Sequence, residues 1–79
     1  MDVSGALRIY KEILGENHPY YATSLNNLAG LYFATGNYEK AEQMFHEALR
    51  IRKEIWGENH PDYAASLNNL AGLYEEIGS

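Results

Sequence analysis

The sequence contains no cysteine and only two prolines among its 79 residues. Without cysteine the chain can form no disulfide, thiol nucleophile or thiolate metal site, and its composition suits a reducing compartment. It has no apolar run of about eighteen residues, and its first residues lack the charged and apolar regions of a signal peptide. We therefore expect a soluble, cytoplasmic protein.

Basic residues are also scarce. Six Lys and Arg stand against eleven Asp and Glu, which gives a formal net charge of −5. Nucleic acids and anionic membranes are bound through a basic excess, so neither is an expected partner. The length is about half that of an average domain, which leaves room for one small folded unit and makes a self-contained enzyme an unfavourable interpretation.

The sequence does contain an internal repeat of 42 residues. The pentapeptide Gly-Glu-Asn-His-Pro occurs at residues 15–19 and again at 57–61. Placing residues 1–37 on residues 43–79 gives 24 identities in 37 pairs. A fixed period of this size is typical of repeat proteins built from one supersecondary unit.

Glycine and proline divide each repeat into two segments of helix length. Pro19 suits the first helical turn and biases His18 toward the extended conformation of an N-cap. Gly36 ends this first-type (A) helix. A second-type (B) helix is predicted over 38–56, with Gly57 at a C-terminal position that favours a left-handed residue. The repeat is therefore predicted to be a hairpin of two antiparallel helices.

Helical periodicity assigns a core face to each helix. The apolar stripe of the second-type helix covers about 160°, which implies two packing partners, as in a stack of hairpins. The first-type core arc consists of Tyr21, Leu25, Leu28, Ala29 and Tyr32, and the second-type stripe of Tyr38, Ala41, Met44, Phe45, Ala48, Leu49, Ile51, Ile55 and Trp56.

These positions resemble the tetratricopeptide repeat. The matching residues are Leu25, Leu28, Ala29 and Tyr32, then Ala41, Phe45 and Ala48, with Gly36 and Tyr38 at the turn. Lys53 replaces the family's terminal proline, so the usual period of about 34 residues is extended and the chain looks like the long-helix subtype of kinesin light chains. The resemblance implies an all-α fold, an α-solenoid of antiparallel helix hairpins in a right-handed superhelical stack.

The register predicts about four helices in the order B-A-B-A. One domain is expected over residues 1–79, made of a partial repeat (1–14), a full repeat (15–56) and a second partial repeat (57–79). The first helix then lacks its first-type mate and the last lacks its second-type mate.

Repeats of this kind bury their apolar faces only against neighbours, so we expect the terminal helices to self-associate. Head-to-tail stacking or a swapped dimer would cover them, and a longer array with further repeats is an alternative. The residues predicted for self-association are Leu7, Ile9, Ile13, Leu14, Leu67, Leu70, Leu73, Tyr74 and Ile77.

The resemblance also implies a concave groove that takes an extended peptide or a partner helix. Asparagine amides there could hydrogen-bond a partner's main chain, or they could be solvated or satisfy neighbouring helices. All six basic residues lie on second-type helices, which favours a neutral or basic partner over an acidic one. The predicted groove residues are Tyr20, Thr23, Asn26, Asn27, Gly30, Phe33, Ala34, Asp62, Ala65, Asn68, Asn69, Gly72 and Glu76.

No catalytic, cofactor or metal motif stands out in the sequence. His18 and His60 recur just before proline, where an N-cap or loop role explains them, and His46 lies on a polar face. The leading prediction is a non-enzymatic scaffold for protein and peptide binding, without cofactor or metal. The alternative is a structural self-assembling repeat unit, including a designed or dissected repeat fragment.

Overall fold

The structure is a computed structural model that describes residues 3–78, with side chains from residue 5 onward. Residues 1, 2 and 79 of the predicted domain lie outside this range. Four helices follow one another: α1 (Val3–Leu14), α2 (Pro19–Ala34), α3 (Tyr38–Trp56) and α4 (Pro61–Ile77). None of these four is long and apolar enough to cross a membrane. The predicted all-α repeat fold is confirmed, with α1 and α3 as second-type and α2 and α4 as first-type helices.

The two first-type helices begin at histidine caps. The Nδ1 atom of His18 accepts a hydrogen bond from the backbone N–H of Tyr20 at 3.1 Å, and Nδ1 of His60 accepts one from Asp62 at 3.0 Å. Both histidines have extended backbone, and a proline follows each in the first turn, where no N–H donor is required. The N-cap role predicted for these histidines is confirmed.

Glycines end the helices by adopting positive φ. Gly36 after α2 has φ +85° and Gly57 after α3 has φ +83°, a conformation that other residues rarely adopt. After Gly36, the backbone N–H of Asn37 donates to the carbonyl of Tyr32 at 2.8 Å. This bond pairs a carbonyl at the C-terminus of α2 that has no donor within the helix. The chain can therefore reverse within a short turn, and successive helices run antiparallel.

Each helix packs against the next helix in the sequence. An inner cluster centred on Tyr21, Leu25 and Ile51 joins α1, α2 and α3. A second cluster that includes Phe45 and Leu73 joins α2, α3 and α4. Helix α3 contributes to both clusters, which agrees with the two packing partners predicted from its wide apolar stripe.

Two residues of the predicted self-association face lie in the core instead. Leu70 is 5% exposed and Leu73 0%, because both pack against α3 in the second cluster. The expectation that nothing in the chain covers them is wrong. Leu7 and Tyr74 are half-buried, each against one of the two clusters. The remaining five members are exposed: Ile9, Ile13, Leu14, Leu67 and Ile77.

Candidate binding groove

Helices α2 and α4 form the walls of the predicted groove, and α3 lies behind them. None of the thirteen predicted groove residues is buried in the core. The exposed members are Tyr20, Thr23, Asn27 and Ala34 on α2, and Ala65, Asn68, Gly72 and Glu76 on α4. The half-buried members are Asn26, Gly30, Phe33, Asp62 and Asn69.

A cleft of about 300 Å³ opens between the walls. Its lining consists of Gly30 and Phe33 from α2, Phe45 from α3, and Asn68, Asn69, Gly72 and Leu73 from α4. Five of these residues belong to the predicted groove, whereas sequence reasoning placed Phe45 in the core and Leu73 in the self-association face. Because Phe45 and Leu73 are almost fully buried, they form an apolar floor beneath two amide side chains.

The glycines Gly30 and Gly72 keep this cleft open. Both lie inside helices and neither has positive φ. A Cβ atom added to either would meet no atom of the described residues within 4 Å beyond its chain neighbours and the backbone of its own helix. Glycine in a helix interior costs about 1 kcal/mol relative to alanine. The fold therefore gains nothing from these glycines, and their effect is to leave space above the helix backbone.

The four groove asparagines differ in what a partner can reach. The side chains of Asn27 and Asn68 are exposed, and Asn69 is half-buried in the wall of the cleft. By contrast, the Oδ1 atom of Asn26 is buried and has no hydrogen-bond partner among the described residues. A bound peptide can therefore contact three of the four amides, but not Oδ1 of Asn26 in this conformation.

Arg52 crosses from α3 between the N-terminal halves of the two walls. Its Nη1 donates to Ser66 Oγ at 3.0 Å and to the carbonyl oxygen of Asp62 at 3.3 Å, and its Nη2 donates to Thr23 Oγ1 at 3.4 Å. The residue is only 7% exposed, and all three acceptors are neutral oxygens. Sequence reasoning missed this contact. Arg52 does lie on a second-type helix, as predicted, but its side chain reaches both walls of the groove.

The 42-residue register carries a signal that could have found it. Arg52 is the counterpart of Tyr10, and Asp62 is the counterpart of Tyr20. In the first copy the rings of Tyr10 and Tyr20 pack with their centroids 5.8 Å apart. In the second copy Arg52 bonds to the backbone of Asp62. The two positions therefore face each other in both copies, although Arg52 contacts the backbone of Asp62 and not its carboxylate.

A polar contact joins α3 to α4 at the other end. The hydroxyl of Tyr74 donates to Oε2 of Glu42 at 2.6 Å, and Nε2 of His46 lies 2.9 Å from the same hydroxyl. The hydrogen bond to Glu42 raises the pKa of Tyr74 above its ordinary value of 10.0. His46 is exposed, as predicted, but it also takes part in this contact. Among the described residues, no three His, Asp or Glu side chains converge as metal ligands would.

Comparison with known protein families agrees with the repeat pattern. A family model described as tetratricopeptide repeat matches residues 3–54 and, in a second overlapping match, residues 25–79. The two matches together span nearly the whole chain. No curated protein matches the sequence.

Proposed function

Since this chain belongs to the tetratricopeptide repeat family, as its core positions predicted, we propose that it is a non-enzymatic interaction module that binds an extended peptide between α2 and α4. Proteins of this family generally mediate contacts between proteins. The kinesin light chain subtype stays a prediction.

The cleft is the observation that supports this function. Its apolar floor lies beside the amides of Asn68 and Asn69, and Asn27, outside the cleft lining, is exposed on α2. Each amide has a donor and an acceptor, so it can pair with the N–H and C=O groups of an extended main chain. A volume of about 300 Å³ is at the lower end of the range for ligand sites, which suits part of a peptide better than a large cofactor.

The charges of the two walls favour a neutral or basic peptide. Helix α2 carries no acidic or basic residue, and α4 carries Asp62, Glu75 and Glu76. The guanidinium of Arg52 already donates to three oxygens. An acidic peptide would therefore meet like charges on α4.

The test is a selection of peptides followed by substitution of the amides. Random peptides displayed on phage are selected for binding to the wild-type chain. The affinity of each selected peptide is then measured by fluorescence anisotropy. Asn27→Ala combined with Asn69→Ala should weaken binding about tenfold, because each lost hydrogen bond is worth about 0.5–1.5 kcal/mol.

Gln43→Ala is the matched control for this test. It removes an exposed amide from α3, outside the groove, and should leave the affinities unchanged. The function is contradicted if the selection yields no peptide, or if the control weakens binding as much as the double variant does.

A second candidate function is self-association through the outer faces of α1 and α4. Comparison of the two copies favours this candidate. Leu67 is 46% exposed, whereas its counterpart Leu25 is 2% exposed. Likewise, Ile9 is 44% exposed, whereas its counterpart Ile51 is 0% exposed. Leu25 and Ile51 pack together in the inner cluster. The same register would place Ile9 of one copy against Leu67 of another, as a head-to-tail contact.

A further inference from the structure

The lining of the cleft points to an apolar occupant. Phe45 and Leu73 form its floor, and Phe33 lies at one side. Gly30 and Gly72 contribute only backbone, and a Cβ atom placed on either would contact no side chain of the described residues outside its chain neighbours within 4 Å. An apolar group that enters the cleft would therefore contact aromatic and aliphatic atoms and meet no side chain at either glycine.

The size of the cleft suits a large side chain better than a whole larger ligand. Ligand sites range from about 300 to 1,000 Å³, and this cleft has about 300 Å³. Leucine, methionine or phenylalanine suits this space and lining. At Gly72 the absence of a side chain also lets a partner's main chain approach α4 closely, with the Asn69 amide beside it to hold that main chain.

The acidic residues near the cleft indicate which charge should stand beside the apolar residue. Glu76 follows Gly72 by four residues, so it lies on the same face of α4 and about 6 Å further along. An extended peptide that runs along α4 advances about 3.3 Å per residue, so a side chain two residues from the one in the cleft would reach the level of Glu76. Neither α2 nor α4 carries Lys or Arg, and Glu75 and Glu76 are both exposed.

We propose that the cleft binds a large apolar side chain of a partner peptide that carries Lys or Arg two residues away from it. This inference rests on the proposed function, which supplies the extended peptide, and it adds the side chains that the peptide needs. The apolar residue anchors the peptide over Phe45 and Leu73. The basic residue pairs with Glu76.

The first test uses N-acetylleucinamide as a probe, followed through the backbone amide NMR signals of Gly30 and Gly72. Wild-type protein should show saturable shifts of these signals. Gly72→Leu fills the cleft with its own side chain and should weaken probe binding at least tenfold. The same change should raise the unfolding midpoint, because leucine favours a helix more than glycine does.

Two further variants make this result interpretable. Gly72→Ala adds one methyl group and should give an intermediate loss of probe binding, which provides a measurement even if Gly72→Leu fails to fold. Gln43→Leu adds the same leucine on the exposed side of α3 and should bind the probe as wild type does. Absence of saturable shifts, or shifts confined to residues outside the cleft, would overturn the proposal.

The second test examines the peptides selected on the wild-type chain. They should share a Leu, Met or Phe with a Lys or Arg two positions away, and Glu76→Lys should change that preference from basic to acidic. If peptides bind but Gly72→Leu does not lower their affinity, the anchor proposal fails while the groove function stands. If no peptide is selected, both fail.

Discussion

Arg52 carries a full charge at a position that is only 7% exposed. Burying a charge is costly unless its hydrogen-bonding groups find partners. Arginine offers five N–H donors in a planar fork, and here they reach Thr23 on one wall and Asp62 and Ser66 on the other. One side chain from α3 therefore fixes the spacing of α2 and α4 where their N-terminal halves face each other.

Arg52→Ala should lower the free energy of unfolding by about 1–3 kcal/mol, because it leaves the hydroxyl of Ser66 buried without its donor. Ser66 is 0% exposed in the structure with Arg52 in place. Urea unfolding followed by circular dichroism measures the change. Arg50→Ala is the control: Arg50 is exposed and forms an i,i+4 pair with Glu54 at 3.3 Å, a pair that is worth little.

The first copy supplies a second comparison for Arg52. Arg52→Tyr together with Asp62→Tyr recreates the aromatic contact of Tyr10 and Tyr20, so the double variant should be more stable than the sum of the two single changes predicts. Equal losses for Arg52→Ala and Arg50→Ala would show that Arg52 is not a cross-link between the walls. Strict additivity in the double variant would show that positions 52 and 62 are not coupled.

At this scale the sequence predicts backbone roles better than side-chain partners. The ends of α2 and α4 could be located because His18 and Pro19 act through their own neighbours in the chain. The contacts of Arg52 could not be located from its helix alone, because they depend on residues 10 to 29 positions away. They become visible only when Arg52 and Asp62 are compared with their counterparts 42 residues earlier.

Among the helices, α3 contributes to both clusters, as α2 also does. The width of its apolar stripe predicted two partners, but not which residues of those partners it covers. For this reason the sequence places Leu70 and Leu73 on an exposed face of α4, although α3 buries both side chains. The amphipathic pattern of one helix gives the size of its buried face. Which residues of a neighbouring helix it buries depends on the length of both helices.

The contact of α3 with α4 through Tyr74 should make stability fall at high pH. The hydrogen bond to Glu42 favours the neutral phenol and raises its pKa above 10.0 in the folded state. Its contribution is therefore fully present below pH 10 and is lost as the pH rises through the folded-state pKa. Above that value a phenolate and a carboxylate would lie 2.6 Å apart.

Tyr74→Phe isolates this effect. Urea unfolding should give wild type a higher free energy of unfolding than the variant at about pH 8. The difference between the two proteins should decrease above about pH 10. The comparison with the variant is needed because burial also raises the pKa of Tyr21, which titrates in both proteins. A difference between the two proteins that stays constant across this range would contradict the assigned hydrogen bond.

For the molecule as a whole, the outer faces of α1 and α4 determine whether copies associate. Leu67→Glu should lower the association constant at least about tenfold, since burial of a leucine side chain is worth about 1.5–3 kcal/mol. Sedimentation across a range of concentrations measures it. Head-to-tail stacking predicts that the average mass of wild type keeps rising with concentration, whereas a swapped dimer stops at twice the chain mass.

Trp56→Glu is the control for this experiment. Trp56 is 42% exposed, close to Leu67, and its counterpart Leu14 is 39% exposed, so the register does not bury this position in the proposed contact. Substitution of Leu70 or Leu73 would test folding instead, because both belong to the core. Wild type that stays monomeric at every concentration would exclude the self-association candidate and leave the groove function unaffected.

The packing of each helix on its sequence neighbour also has a consequence for how the molecule folds. Every cluster forms from segments that are close along the chain, so folding needs no closure of a long loop, and such topologies fold fast. The same arrangement lets α1 or α4 detach while the pair α2 and α3 remains intact. The free energy of unfolding of such a stack increases with each added hairpin. Local unfolding begins at the outer helix that is packed less stably.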